Sequence, residues 1–431
     1  MSKRQKFLLV SLILIGFAAR LGLIVAAGNQ VRPFWSGGSD SYAYVLLAEN
    51  ITAGKGLSYA GIPTAFRPPA YPLFLAVCRH VFGARYIFWV RVLQFLAAIG
   101  AAWFCAMTSH KLWGSSGGYV TATCFSLTPT LIFLNSEILT ESLAILLTSL
   151  FLYLIVSARH ESRWTGAQLG GVIGASMLLR FNAVALPFVA LWRLFQVFKG
   201  ERLLKEAAWL CLFLSLLLSP WFARNWIVFG HKFVYSTLSG WGLVLGIYSP
   251  QGRADSEEYL QIKKTLGWEQ SEIETNGRDR LKFGPEIELN RQAVRFAARG
   301  WRQAGWAVPV VLMRKLADFW LSTDQLFSIS TISFIQRTLR RSGVAVYWIL
   351  LLCGALGLLR LYKFDPLLAN TLLWYAIVST LLYLPFAMNT RLRVSCIEPA
   401  LCILAGFLGQ FRSGWVPASE RESLQTPDGV R

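Results

Sequence analysis

The apolar residues of this chain fall in blocks of about 20, separated by short basic or Gly/Pro-rich breaks, and a helix of that length crosses a bilayer core of roughly 30 Å. A soluble core helix alternates polar and apolar faces instead, so the pattern excludes an ordinary soluble enzyme. The chain reads as an all-α polytopic integral membrane protein. Its first block, Phe7 to Ala27, follows Lys3, Arg4 and Lys6. That block outlasts the apolar core of a cleaved signal peptide and is followed by many more, so it reads as an uncleaved first span that starts in the cytoplasm.

Further blocks lie at roughly 87–107, 118–135, 138–157, 167–181, 184–198, 207–226, 343–361, 367–387 and 395–411, about ten spans in all. An even count places the short connections His110-Lys111, Arg159 to Arg163, Lys199 to Lys205 and Arg360 to Lys363 on one side. All are basic, as cytoplasmic connections should be. The pair 167–181 and 184–198 reads either as two spans or as a tilted or re-entrant hairpin. Trp306 to Ile335 is a candidate for a further membrane-embedded element. Lys plus Arg number 42 against 23 Asp plus Glu. In a soluble protein that excess would point to nucleic acid. Here the basic residues sit mostly between apolar blocks, where orientation and membrane lipid headgroups account for them, and no nucleic-acid partner is expected.

Two large loops fall on the opposite, extracytoplasmic face, at roughly 28–86 and 227–341, within a single membrane domain of about 1–411 that is followed by a polar cytoplasmic tail, 412–431. The second loop has amphipathic spacing from Asn290 to Met313, and its Trp301, Trp306, Phe319 and Trp320 suit a helix lying at a membrane interface. The seven cysteines form no CxxC pair, and the four histidines, His80, His110, His160 and His231, lack ligand spacing. No metal site is expected and no cofactor, although nothing in the sequence speaks against a divalent metal.

The first loop holds most of the chemistry. Ser39 and Asp40 are suitable caps for a helix through Thr52 that Gly54 ends, and Pro68-Pro69 open a second helix that Gly83 ends. Asp40 therefore sits where a loop meets a helix start, and the unpaired amides and helix dipole there favour its ionised form. Capping alone and service as a base are both open at this point. Glu137 and Glu141 lie four residues apart, hence on one helix face at the start of the fourth span. A carboxylate there needs a cavity or a cation, so a functional role and an ion pair with Arg180 or Arg224 are both consistent.

Several runs, taken in order, resemble a known family. In the first loop these are Asp40-Ser-Tyr-Ala-Tyr44, Ala48-Glu49-Asn50, Gly54-Lys55-Gly56 and Arg67-Pro-Pro-Ala-Tyr71-Pro72. Further on come Leu139-Thr140-Glu141, Leu178-Leu179-Arg180, Pro220-Trp221-Phe-Ala-Arg224-Asn225 and Arg391-Leu-Arg393-Val-Ser-Cys-Ile-Glu398-Pro399. The set is similar to the GT-C glycosyltransferases, specifically the protein-mannosyltransferase and aminoarabinose-transferase-like group (glycosyltransferase family 39). The chain departs from the family's usual spellings at Arg180-Phe181 and Arg393-Val394. The resemblance implies a GT-C-like bundle of about 10–13 transmembrane helices with amphipathic helices in its two extracytoplasmic loops. It also implies an inverting glycosyltransferase, multi-pass in the inner (plasma) membrane, that moves a sugar from a polyprenyl-phosphate carrier to a hydroxyl of a protein, lipid or glycan. By matching position it makes Asp40 the catalytic base and Glu141 its companion, with Glu137 at the water interface. It assigns Lys55, Arg67, Tyr71, Arg224, Arg391 and Arg393 to the substrate. Cations on the extracytoplasmic face need a partner, and a carrier phosphate or anionic headgroups would serve. Arg20, inside the first span, is expected either to snorkel outward or to join the phosphate site. The alternative is a transporter, or a flippase or polymerase of lipid-linked glycans; a transporter usually shows repeated halves and charges at mid-membrane depth, which this chain lacks.

Overall fold

The computed structural model describes residues 2–31, 40–59, 61–159, 163–248, 286–321, 334–386 and 390–412. The capping role of Ser39, His160, the tail Ser413 to Arg431 and two parts of the second large loop, 249–285 and 322–333, lie outside the described residues. The rest is almost wholly helical. The helices are α1 (Lys3–Ala27), α2 (Asp40–Thr52), α3 (Ala70–Phe82), α4 (Tyr86–Leu127), α5 (Pro129–Ser136), α6 (Glu141–Ser157), α7 (Thr165–Leu179), α8 (Leu186–Val197), α9 (Gly200–Val228), α10 (Ser239–Tyr248), α11 (Glu286–Ala304), α12 (Val308–Leu321), α13 (Phe334–Tyr362), α14 (Pro366–Tyr383), α15 (Thr390–Cys396) and α16 (Glu398–Ala405). Between α2 and α3 lies one antiparallel hairpin, β1 (Ser58–Tyr59) with β2 (Ile62–Pro63).

Among the described residues, five helical stretches are long and apolar enough to cross a membrane: Lys3–Ala27, Ala70–Leu127, Gly200–Val228, Ser342–Tyr362 and Pro366–Tyr383. Glu141–Ser157, Thr165–Leu179 and Phe181–Val197 are apolar but shorter. Helix α4, at 42 residues, would be about 63 Å long if straight, twice a bilayer core. It is not straight. Gly114 adopts φ 74°, ψ −176°, a backbone region open to glycine, and the chain doubles back there. A Cβ on Gly118 would lie 3.1 Å from the Ala106 carbonyl oxygen, so the two halves pack against each other. This hinge sits just past His110-Lys111, where the sequence places a basic turn between two spans.

The pair after α6 consists of two short apolar helices, α7 and α8, joined by a tight turn. Helix α7 has 15 residues, about 22 Å, which falls short of the bilayer core. It ends at Arg180, whose backbone is extended (φ −147°, ψ 132°), and a 3-10 turn at Phe181–Ala185 leads into α8. Leu179, Arg180, Phe181, Asn182 and Val184 at this turn line a cavity. Helix α7 lies close on α9 because of its glycines: a Cβ at Gly166 or Gly170 would overlap the carbonyl oxygens of Glu206 and Leu210. Over the turn, α2 and α3 rest on a cluster of Tyr44, Val45, Ala48, Tyr71 and Leu75 packed with Ile87 and Val90 of α4, Ile138 and Leu179. This packing sets the first residue of α2, Asp40, above the ends of α6 and α7.

Two expectations about membrane-level charges need correction. Arg20 neither snorkels nor joins a ligand site; it is buried and donates to the carbonyls of Gly16 (3.1 Å), Ser126 (2.5 Å) and Phe125 (2.9 Å), the last two at the C-terminal end of α4. A cation suits those unpaired carbonyls. Glu137 is not at a water interface but wholly buried between α5 and α6, where Gln94 Nε2 donates to its backbone carbonyl at 2.8 Å.

Candidate active site

Five elements meet above the turn between α7 and α8. Asp40 comes from the start of α2, Arg67 from the loop before α3, Glu141 from the start of α6, Arg180 from the end of α7, and Arg391 from α15. Arg67 Nη2 donates to Asp40 Oδ1 at 2.5 Å, and Arg391 Nη1 donates to Asp40 Oδ2 at 3.0 Å. The same Arg391 places Nε and Nη2 on Glu141 Oε1, each at 2.8 Å, and Arg180 Nη1 reaches that oxygen at 3.4 Å. Arg180 is held in turn on Ser395 Oγ at 3.2 Å. The result is an alternating chain, Arg67–Asp40–Arg391–Glu141–Arg180, with three cations against two carboxylates.

The two carboxylates stand in different surroundings. The Asp40 side chain keeps 27% of its surface exposed, whereas Glu141 is wholly buried. A cavity of ≈ 430 Å³ opens over Asp40, Arg67, Arg180 and Arg391, walled by Tyr44, Asn182, Tyr383 and Phe386 and roofed by Leu238, Ser239 and Gly242. Glu141 has no share in its lining. Burial alone would raise the pKa of Asp40; the guanidiniums of Arg67 and Arg391 outweigh it and hold the carboxyl well below the usual carboxylate range. Each Asp40 oxygen accepts from an arginine, at the first residue of α2.

Of the residues assigned to catalysis or substrate from the sequence, the structure brings Asp40, Glu141, Arg67 and Arg391 together and leaves the others elsewhere; of the two ion-pair partners expected for Glu141, Arg180 is in place and Arg224 is not. Lys55 is exposed beyond the end of α2 and is not in the cavity lining. Tyr71 is buried behind the wall; its hydroxyl donates to Gln94 Oε1 at 2.7 Å, and its ring packs edge-on against Tyr44 at 4.9 Å, so it supports the wall rather than lining it. Arg224 donates to the carbonyls of Thr64 and Leu57, both at 2.8 Å, and thereby pins the hairpin that leads to Arg67. Arg393 lies two residues past Arg391 on a helix, hence on another face. It is buried against the Tyr347 ring (3.6 Å), donates to the Phe319 carbonyl at 2.9 Å and pairs with Glu398 at 3.6 Å.

Sequence reasoning did not rank Arg180, Asn182, Tyr383 or Phe386 as site residues. The available signal was an arginine ending a 15-residue apolar helix, which has no water to reach unless a cavity opens there. Among the described residues no three His, Cys, Asp or Glu side chains converge as metal ligands. Arg391 also occupies the space between Asp40 and Glu141, so the pair as arranged does not fit a shared cation.

This architecture shares its fold with solved oligosaccharyltransferases. Within it, residues 66–223 match the family model described as dolichyl-phosphate-mannose-protein mannosyltransferase. Among solved structures, the chain is similar to the oligosaccharyltransferase AglB from Archaeoglobus fulgidus in complex with an inhibitory peptide and a dolichol-phosphate. There the TM-score is 0.53 and the identity 12%, over 100% of this chain and 53% of that one. The Archaeoglobus fulgidus oligosaccharyltransferase tethered with an acceptor peptide gives a TM-score of 0.52 and 14% identity, over 94% and 50%. ArnT from Cupriavidus metallidurans bound to undecaprenyl phosphate gives a TM-score of 0.42 and 13% identity, over 95% of this chain and 79% of that one. The chain thus spans about half the length of the archaeal enzymes it matches. No curated protein matches it in sequence.

Proposed function

We propose that the protein is an inverting glycosyltransferase that moves a sugar from a polyprenyl-phosphate carrier to a hydroxyl acceptor on the extracytoplasmic face of the membrane. The observation that carries this reading is the shared arginine: Arg391 touches both Asp40 and Glu141 at the mouth of a cavity large enough for a sugar. Three cations against two carboxylates leave one positive charge in excess, which matches the single negative charge of a phosphodiester-linked sugar. The match to a mannosyltransferase family model and the likeness in fold to an archaeal enzyme solved with a dolichol-phosphate support a lipid-linked donor.

Asp40 bonded to two arginines is a weak base. An incoming donor phosphate competes for Arg67 and Arg391, and as those guanidiniums turn to its oxygens the carboxylate of Asp40 is released and becomes more basic. The acceptor oxygen then attacks the anomeric carbon from the face opposite the phosphate, the bond between that carbon and the phosphate oxygen breaks, and Asp40 Oδ2 receives the hydroxyl proton. The leaving phosphate gains a second negative charge, which the arginines stabilise. Glu141 takes no proton. It stays behind Arg391 and Arg180 and keeps both guanidiniums aimed at the cavity when Asp40 lets go.

The test is transfer by the purified protein with a polyprenyl-phosphate monosaccharide as donor, with the anomeric configuration of the product read by NMR. Transfer with inverted configuration is expected. Retained configuration would remove the single-displacement mechanism, and carrier movement across a vesicle without any transfer would favour a flippase.

A further inference from the structure

Helix α11 carries Arg291, Arg295, Arg299 and Arg302, spaced four, four and three residues apart, and all four are exposed. At 100° per residue they fall within an arc of about 80°. The opposite side of the helix, Ala293, Ala297 and Gly300, is buried against Trp241 and Val244 of α10. Arg291 pairs with Glu288 at 3.2 Å. Among the described residues no carboxylate pairs with Arg295, Arg299 or Arg302.

Just past Arg302 the chain bends at Gly305, φ +45°, and α12 presents a second row. Trp306 is 98% exposed and is followed by Val310, Met313, Ala317 and Leu321, all exposed, at spacings of four, three, four and four. The other side of α12 belongs to the bundle. Lys315 Nζ donates to the carbonyls of Gly246 and Leu384, Phe319 packs against Tyr383, and Leu316 and Trp320 line an apolar cavity with α13 and α14. A row of cations on one helix thus leads directly into a row of apolar side chains on the next.

We propose that α11 and α12 together form a docking surface for anionic membrane lipid, with headgroup phosphates on Arg295, Arg299 and Arg302 and acyl chains along Trp306, Val310 and Met313. A headgroup layer over hydrocarbon is negative above and apolar below, which complements both rows at once. A soluble polyanion would satisfy the arginines and leave Trp306 in water, and an apolar protein surface would leave three arginines unneutralised. The surface bears on the cavity through two contacts. Asn290 Oδ1 accepts from Gly240 N at 2.7 Å on α10, and Glu286 accepts from Thr64 Oγ1 (2.6 Å) and Ala65 N (3.1 Å), two residues before Arg67.

Each arginine near an anionic surface strengthens attachment about fivefold, so losing three should weaken it about a hundredfold. Native mass spectrometry of the full-length protein from mixed phosphatidylglycerol and phosphatidylcholine micelles reads this without any transfer assay, so its outcome is independent of the proposed reaction. Wild type should retain phosphatidylglycerol over phosphatidylcholine. R295Q/R299Q/R302Q should lose that preference, R295K/R299K/R302K should keep most of it, and Trp306→Ser should weaken retention of both lipids. No preference in wild type, or an unchanged preference in the glutamine variant, overturns the proposal. Displacement of phosphatidylglycerol by millimolar glycerol 3-phosphate overturns it too, because the apolar row would then be idle. If the glutamine variant aggregates, wild type decides by salt: the preference should fade between about 0.05 and about 0.5 M NaCl, and a preference that salt leaves untouched refutes the arginine row.

Discussion

Arg391 rests two of its nitrogens on a single oxygen of Glu141, both at 2.8 Å, with that carboxylate wholly buried. A buried carboxylate needs a charged partner, and a guanidinium fixed at one edge presents its other edge in a defined direction. That edge meets Asp40 at 3.0 Å. Glu141 therefore determines where the cation beside Asp40 stands without itself touching the cavity.

Asp40→Asn should abolish transfer while the protein remains folded. The amide keeps the size but cannot take a proton, and base catalysis of this kind contributes about 10²–10⁴-fold. Turnover measured beside a size-exclusion profile checks both parts. Near-wild-type turnover would remove Asp40 as base.

Arg391→Lys should lower kcat about 10²–10³-fold, the range seen when one donor to a developing oxyanion is lost. A lysine keeps the charge but cannot span Asp40 and Glu141. Steady-state kinetics with saturating donor would sink the shared-arginine reading if kcat fell less than about threefold.

The acid side of the pH profile should differ between the two kinetic parameters. The folded carboxyl of Asp40 lies below its unfolded value of about 3.9, so the contribution of its ion pairs to stability is complete above that value and is lost as pH falls through the folded pKa. Activity limited by the free enzyme, kcat/KM, should accordingly show no acid limb from Asp40 between about pH 5 and 7. If the donor phosphate draws the arginines away, kcat should fall at a higher pH than kcat/KM does. Coincident limbs would argue against that exchange.

Lys55→Ala and Arg393→Met test two residues that the resemblance assigns to the substrate and that lie outside the cavity lining. Lys55 is exposed and outside the cavity, so its loss should change donor use by no more than about twofold. Arg393→Met strands the buried Glu398 and should cost stability on the order of 3–5 kcal/mol, seen as a lower unfolding temperature. A specific loss of donor binding in either variant would return that residue to the site.

The basic connections predict a sidedness that labelling can test. A cysteine at Lys232 in a cysteine-free background should react with an impermeant maleimide in intact cells, and one at Glu201 only after permeabilisation. The reverse labelling would invert the orientation and place the donor on the cytoplasmic side.

Much of this architecture was legible because its signals are local. Gly54 and Gly83, with φ +74° and +57°, stop α2 and α3 where the sequence puts their ends, and Gly114 provides the turn between two predicted spans. The charged residues were less legible. Arg391 and Arg393 differ by two positions on one helix, which sends one to the cavity and the other into the core, and composition cannot distinguish them. Arg20, Arg224 and Glu137 carry charges whose partners are largely backbone carbonyls or buried groups, and such partners leave no trace in a one-dimensional pattern. Arg180 was visible as the end of a helix, yet its importance depends on the cavity at the turn between α7 and α8, which becomes clear only when the neighbouring helices are in place.

The contact between Asp40 and Arg391 also sets a schedule for biogenesis. The two residues are separated by 351 positions, and at a synthesis rate of about 5–20 residues per second the carboxylate emerges roughly 20–70 s before its guanidinium. During that interval the nascent loop can hold only the earlier partner, Arg67. Donor lipid present in the same membrane meets no complete site until the penultimate helix has been inserted. A ribosome stalled or a message truncated before that helix would release a chain with its acid in place and its bridging cation missing.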